Sequence, residues 1–102
     1  MRVIAKSTLV KFWRQSECVD SKGALQSWYE EVIKVSWKTP QEIKEQYRSA
    51  SICANNRVVF NIAGNKYRLV VEVQYQAGIV WVKFVGNHAQ YDQINVETVN
   101  EY

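Results

Sequence analysis

The sequence predicts an α+β domain with helices packed on one face of an antiparallel sheet. The apolar period changes from 3.6 to 2 after Asn55, and two glycine-bearing turns divide the remainder into a three-stranded meander. With 102 residues there is room for one modest core, so residues 1–102 are expected to form a single domain.

Arg2 to Ala5 reads as a short first strand. Leu9, Phe12 and Trp13 recur at i, i+3, i+4 and predict a helix over about Thr8 to Ser16. Leu25, Trp28, Tyr29, Val32 and Ile33 give one apolar stripe and predict an amphipathic helix from about Ser21 to Val35. Thr39-Pro40-Gln41-Glu42 supplies an N-cap, a proline at the first helical position and a capping glutamate. A short helix to about Tyr47 should come next, with Ile43 and Tyr47 facing inward. Strands are expected over 57–63, 66–76 and 79–85, and a short helical stretch from His88 to about Ile94 closes the chain.

The turns set a register. Gly64-Asn65 suits a two-residue type II′ turn, with glycine where the backbone needs positive φ. It places Ile62 opposite Tyr67, Phe60 opposite Leu69 and Val58 opposite Val71. Centring the second turn on Ala77-Gly78 places Val71 opposite Phe84, Val73 opposite Val82 and Tyr75 opposite Val80. One face is then apolar across all three strands and receives the helices. The other carries a charge row, Arg57–Glu72–Lys83, and a second row, Asn61–Arg68–Asn87. Slippage by one residue would drive these groups into the core.

Composition narrows the function classes. Apolar residues are 47% and charged residues 23%, the proportions of a folded globular protein. No apolar run approaches the roughly 20 residues that span a bilayer, and MRVIAKSTLV has no secretory core, so a cytoplasmic location without a membrane partner is expected. Cys18 and Cys53 lack a CxxC pattern or partner histidines and read as buried thiols rather than a disulfide or zinc site. The net charge of +3 permits a nucleic-acid partner without requiring one. Carboxylates are scattered, so neither a metal site nor a cofactor is expected.

Arg68 is the first candidate. Its cross-strand neighbours are the neutral Asn61 and Asn87, so its guanidinium either solubilises an exposed face or takes a phosphate bidentately. Lys83 and Arg57 face Glu72 and read first as a structural charge row, with RNA contact as their functional alternative. His88, the only histidine, has Tyr91 and Asp92 at i+3 and i+4, on one side of a helix. A lone histidine at a strand end is commonly a surface or cap residue. Here it comes directly after Asn87, in the expected row of Arg68, and a proton carrier beside a phosphate-binding cation is what RNA cleavage without a metal requires. Trp81 is expected on the same face opposite Gln74, to stack on a base or to contact a partner or loop.

The segments NRVVFNIAGNKYRLVVEVQY and WVKFVGNHAQYDQI resemble the HigB toxin family of the RelE/ParE-like superfamily. The likeness covers about Ser51 to Val96, and WKTPQEIKEQYRSA before it is similar to the family's preceding stretch. It implies a RelE-like fold with a short N-terminal strand, two to three helices, a meander and a short C-terminal helix. It further implies the toxin of a type II toxin–antitoxin system, neutralised by a HigA-like helix-turn-helix antitoxin and cleaving messenger RNA at the ribosome without a metal. Arg68, His88, Tyr91 and Asp92 would be catalytic, and Asn61 and Lys66 would bind RNA with Arg57, Lys83 and Asn87. Position 87 departs from the family's usual threonine; asparagine keeps a donor and an acceptor but loses the hydroxyl. The rival readings are a non-catalytic antitoxin-binding protein and a gyrase-directed toxin, because kinship of fold alone does not decide activity.

Overall fold

A computed structural model describes residues 1–102. Its five-stranded sheet has the order β1-β5-β4-β3-β2. The meander is β3 (Arg57–Ile62), β4 (Tyr67–Gln74) and β5 (Ile79–Asn87). Two short strands extend it: β1 (Arg2–Ile4) runs parallel to β5, and β2 (Ser51–Ile52) antiparallel to β3.

Helices α1 (Lys6–Trp13), α2 (Lys22–Val32) and α3 (Pro40–Gln46) pack on one sheet face, as expected. Leu9, Phe12 and Trp13 of α1, Leu25, Trp28 and Val32 of α2, and Ile43 of α3 are buried there against Val58, Phe60, Leu69, Val71, Val73, Val80 and Val82. The α2 stripe is narrower than its periodicity suggests. Ile33 falls at the C-cap and is 43% exposed, and Tyr29 lies at the margin, under the Lys6 ammonium at 5.0 Å. Thr39 caps α3 through a complete capping box with Glu42. Phe60 is the centre of an aromatic cluster, with ring centroids of Trp28, Trp37 and Tyr47 at 5.4, 6.2 and 5.1 Å. Cys18 is buried and Cys53 only partly so; both are free.

The first hairpin has the expected register, including Asn61 opposite Arg68 and Arg57 opposite Glu72. Gly64 carries a φ of 70°, and the Lys66 amide donates to the Ala63 carbonyl at 3.3 Å. The second hairpin differs. Its loop, 75–78, is centred one residue earlier than expected and is closed by the Gly78 amide donating to Gln74 O at 2.9 Å, so the glycine ends the loop rather than centring it. Val73 therefore faces Val80, and Val71 faces Val82. This two-residue shift leaves every side chain of that stretch on its expected face.

A bulge then adds an odd step. The register shifts between Val70 and Val71, Lys83 has no partner, and Phe84 falls opposite Val70. Phe84 is thereby moved off the helix-covered face, where the alternation predicts it, to the opposite one. There Val59, Val70 and Phe84 form a second buried cluster under Cys53, Tyr91, Ile94, Val96 and Val99. The face expected to be open is thus partly roofed by α4 (His88–Tyr91) and the C-terminal segment.

Candidate functional site

Arg68 projects from the middle strand onto this second face. Its Nη1 donates to the carbonyls of Asn65 at 2.9 Å and Tyr67 at 3.2 Å, which orients the guanidinium along the first turn. It has no carboxylate partner; the ion pairs of the protein involve Arg57, Lys66 and His88. Beyond it stands the Tyr91 ring, 5.8 Å from the guanidinium carbon to the centroid. Tyr91 in turn meets His88 edge-on at 6.3 Å, and His88 Nδ1 lies 3.2 Å from Asp92 Oδ2. A carboxylate only accepts, so this contact favours the proton on Nδ1 and leaves Nε2 without a partner in the protein. The His88 and Asp92 side chains are 58% and 60% exposed. Arg68, Tyr91, His88 and Asp92 therefore make one continuous run that is half-buried at Arg68 and Tyr91 and open to solvent at His88 and Asp92.

The local sequence explains the placement. Asn87 ends β5 in an extended conformation (φ −77°, ψ 174°) and caps α4. Its Oδ1 accepts from the Gln90 amide at 2.8 Å, while Gln90 Oε1 accepts from the Asn87 amide at 2.9 Å. Its side chain is therefore engaged in the cap, and asparagine fills that role as readily as threonine. Asn87 pairs with Tyr67, whereas the residue opposite Arg68 is Gly86. A Cβ on Gly86 would lie 2.6 Å from Phe84 Cζ and 2.7 Å from Gln90 Oε1, so the glycine is what lets α4 turn back so closely.

A family model of the HigB toxin, described as the RelE-like toxic component of a toxin–antitoxin system, matches residues 21–94. The chain belongs to the HigB toxin family. It is the toxin of such a pair, and the family implies an antitoxin as its partner. No curated protein matches the chain.

Not every residue expected at the candidate site is available there. Arg57 is 6% exposed; its Nη1 donates to the carbonyls of Val96 and Val99, and its Nη2 lies 3.7 Å from Glu72. Burial beneath the C-terminal segment removes it from RNA. Lys83, displaced by the bulge, faces no Glu72; its Nζ donates to Asn100 at 2.8 Å and stands 5.5 Å over the Trp81 ring. Glu72 instead pairs with Trp81, which was expected opposite Gln74. Lys66 pairs with Asp20, which also accepts from the Tyr67 hydroxyl. That pair is about half exposed, so separating it costs little. Asn61 is half-buried beside Arg68.

Two groups that shape this candidate site give little signal in the sequence. Asp20 lies in a 3₁₀ segment, Ser16–Ser21, that gives no periodic signal. Lys66 above all, then Tyr67, holds its carboxyl below the ordinary value, and the same contact pushes the Tyr67 hydroxyl up to about 12. Gln90 was legible in principle, since Asn87-x-x-Gln90 is a capping-box spacing. No helix is long and apolar enough to cross a membrane, and no three His, Cys, Asp or Glu side chains converge.

Proposed function

We propose that this toxin is an endoribonuclease that cuts messenger RNA on the ribosome using side chains alone. The observation that carries the reading is the run Arg68–Tyr91–His88–Asp92, half-buried at Arg68 and Tyr91 and exposed at His88 and Asp92, in which a guanidinium without a carboxylate partner and a carboxylate-held imidazole flank one aromatic ring.

In this reaction the ribose 2′-oxygen attacks the adjacent phosphorus and loses its proton to a base. The 5′-oxygen leaves with a proton from an acid, giving a cyclic phosphate and a free 5′-hydroxyl. His88 Nε2 serves one of these transfers, and Asp92 stabilises the imidazolium whenever it forms. Arg68, whose Nε and Nη2 make no bond within the protein, neutralises the charge growing on the phosphoryl oxygens. Tyr91 keeps the two in contact and offers a face for a base to stack on. Lys66 and Asn61 hold the flanking backbone, Asn87 acts through the α4 cap, and Lys83, bonded to the C-terminal segment, serves as an outer phosphate contact. The toxin works in the cytoplasm as one domain, and a HigA-like helix-turn-helix antitoxin restrains it.

Adding the purified toxin to translating ribosomes and mapping message ends by primer extension tests this. Discrete new 5′ ends are expected. Intact message alongside normal antitoxin binding would make the protein a binding partner without catalysis, and DNA breaks without message loss would point to gyrase.

A further inference from the structure

We infer that Arg57 is a positioning residue: acting through the C-terminal segment, it holds Tyr91, His88 and Asp92 in place beside Arg68. Its effect on rate rests on the RNA-cleaving reading above, whereas its effect on α4 does not.

The need for such a device comes from the size of α4. A helix of four residues, His88–Tyr91, cannot hold its own geometry in water. Residues 95–102 after it lie in no helix or strand, yet they cross the second sheet face as a strap. Ile94, just before this strap, and Val96 and Val99 within it pack with Tyr91 on Val59, Val70 and Phe84. Apolar contact alone is non-directional and leaves such a segment free to slide.

Direction comes from Arg57. It rises from the first residue of β3, and its Nη1 donates to Val96 O at 3.3 Å and Val99 O at 2.5 Å. Both are charge-assisted bonds to backbone that has no ladder partner. Glu72, 3.7 Å away and directly across the strand pair, balances the charge and aims the fork. Further bonds run along the same line: Asn55 to Glu97 O at 3.1 Å, Lys83 to Asn100 at 2.8 Å, and the Glu101 amide to Lys83 O at 3.0 Å. Arg57 bonds two carbonyls of the strap, three residues apart, from within the sheet. It is too buried to meet RNA, so its influence on cleavage passes through Tyr91.

The test is the double variant Arg57→Met/Glu72→Gln, which fills the slot and leaves no unpaired buried charge. Cleavage of ribosome-bound message is measured under saturating and limiting conditions, together with amide hydrogen exchange. The expected result is a fall of about 10- to 100-fold in kcat with KM within about twofold, since misplacing a catalytic group by an ångström costs this much. Amides 88–92 should exchange faster while those of β3 and β4 stay protected. Native kcat with native exchange at 88–92 would overturn the inference, as would uniform loss of protection across the sheet. If the native toxin leaves message intact, the RNA-cleaving reading fails, and the exchange at 88–92 still decides the positioning role.

Discussion

The guanidinium carbon of Arg68 lies 5.8 Å from the centroid of the Tyr91 ring, joining a central strand to the C-terminal helix. The other edge of that ring meets His88 at 6.3 Å. One aromatic side chain thus fixes the spacing between a cation and a proton carrier. The contact depends on the ring rather than the hydroxyl. Tyr91→Phe should cleave within about threefold of native, and Tyr91→Ala should lose about tenfold or more in the saturated rate. Steady-state cleavage of a defined message checks both.

Gly86 should tolerate no side chain. An added Cβ meets the Phe84 ring at 2.6 Å, and a ring inside a buried cluster cannot step aside. Gly86→Ala should destabilise the toxin by about 1–3 kcal/mol. Urea unfolding gives the loss, and faster exchange of the Gln90 amide should accompany it as the Asn87 cap opens.

The Asp20–Lys66–Tyr67 cluster makes stability depend on pH at both extremes. Lys66 and Tyr67 hold the Asp20 carboxyl below its ordinary value of 3.8, so its contribution is present above about pH 4 and lost as pH falls through the folded value. The Tyr67 hydroxyl is pushed from 10 up to about 12, so its contribution holds below pH 10 and is lost between 10 and 12. Asp20→Asn should flatten the acid limb and return one tyrosine towards pH 10. Thermal unfolding across pH and an absorbance titration of tyrosinate measure these.

Phe60 should be the costliest truncation in the core. It is 2% exposed and touches Trp28, Trp37 and Tyr47 at once, rings brought to the sheet by three separate segments. Phe60→Ala should cost about 3–5 kcal/mol, read from the denaturation midpoint.

The features legible in the sequence were local ones. The Thr39 cap, the first hairpin and the i, i+3, i+4 spacing of His88, Tyr91 and Asp92 all arise from neighbouring residues, and each appears in the fold. The second hairpin misled because Gly78 serves a four-residue loop as naturally as a two-residue turn. The bulge at Lys83 leaves no mark on the alternation, which simply continues through Lys83 and Phe84. The roof over Arg57 is a longer-range matter. Arginine at an outward strand position reads as exposed, and whether that face is covered depends on Val96 and Val99, some forty residues away in an otherwise polar tail. Arg68 and Arg57 look alike in pattern. Only the fold separates a half-exposed guanidinium without a carboxylate partner from a buried one paired with Glu72.

The most direct test compares native toxin, Arg68→Ala, His88→Ala and the double variant on ribosome-bound message. Groups acting at one phosphate are not additive, so each single variant should lose about 100-fold or more and the double variant little further. Circular dichroism should show all four folded. Native cleavage rates from both single variants would contradict a shared site at Arg68 and His88, as would losses that multiply in the double variant as if the two groups worked apart.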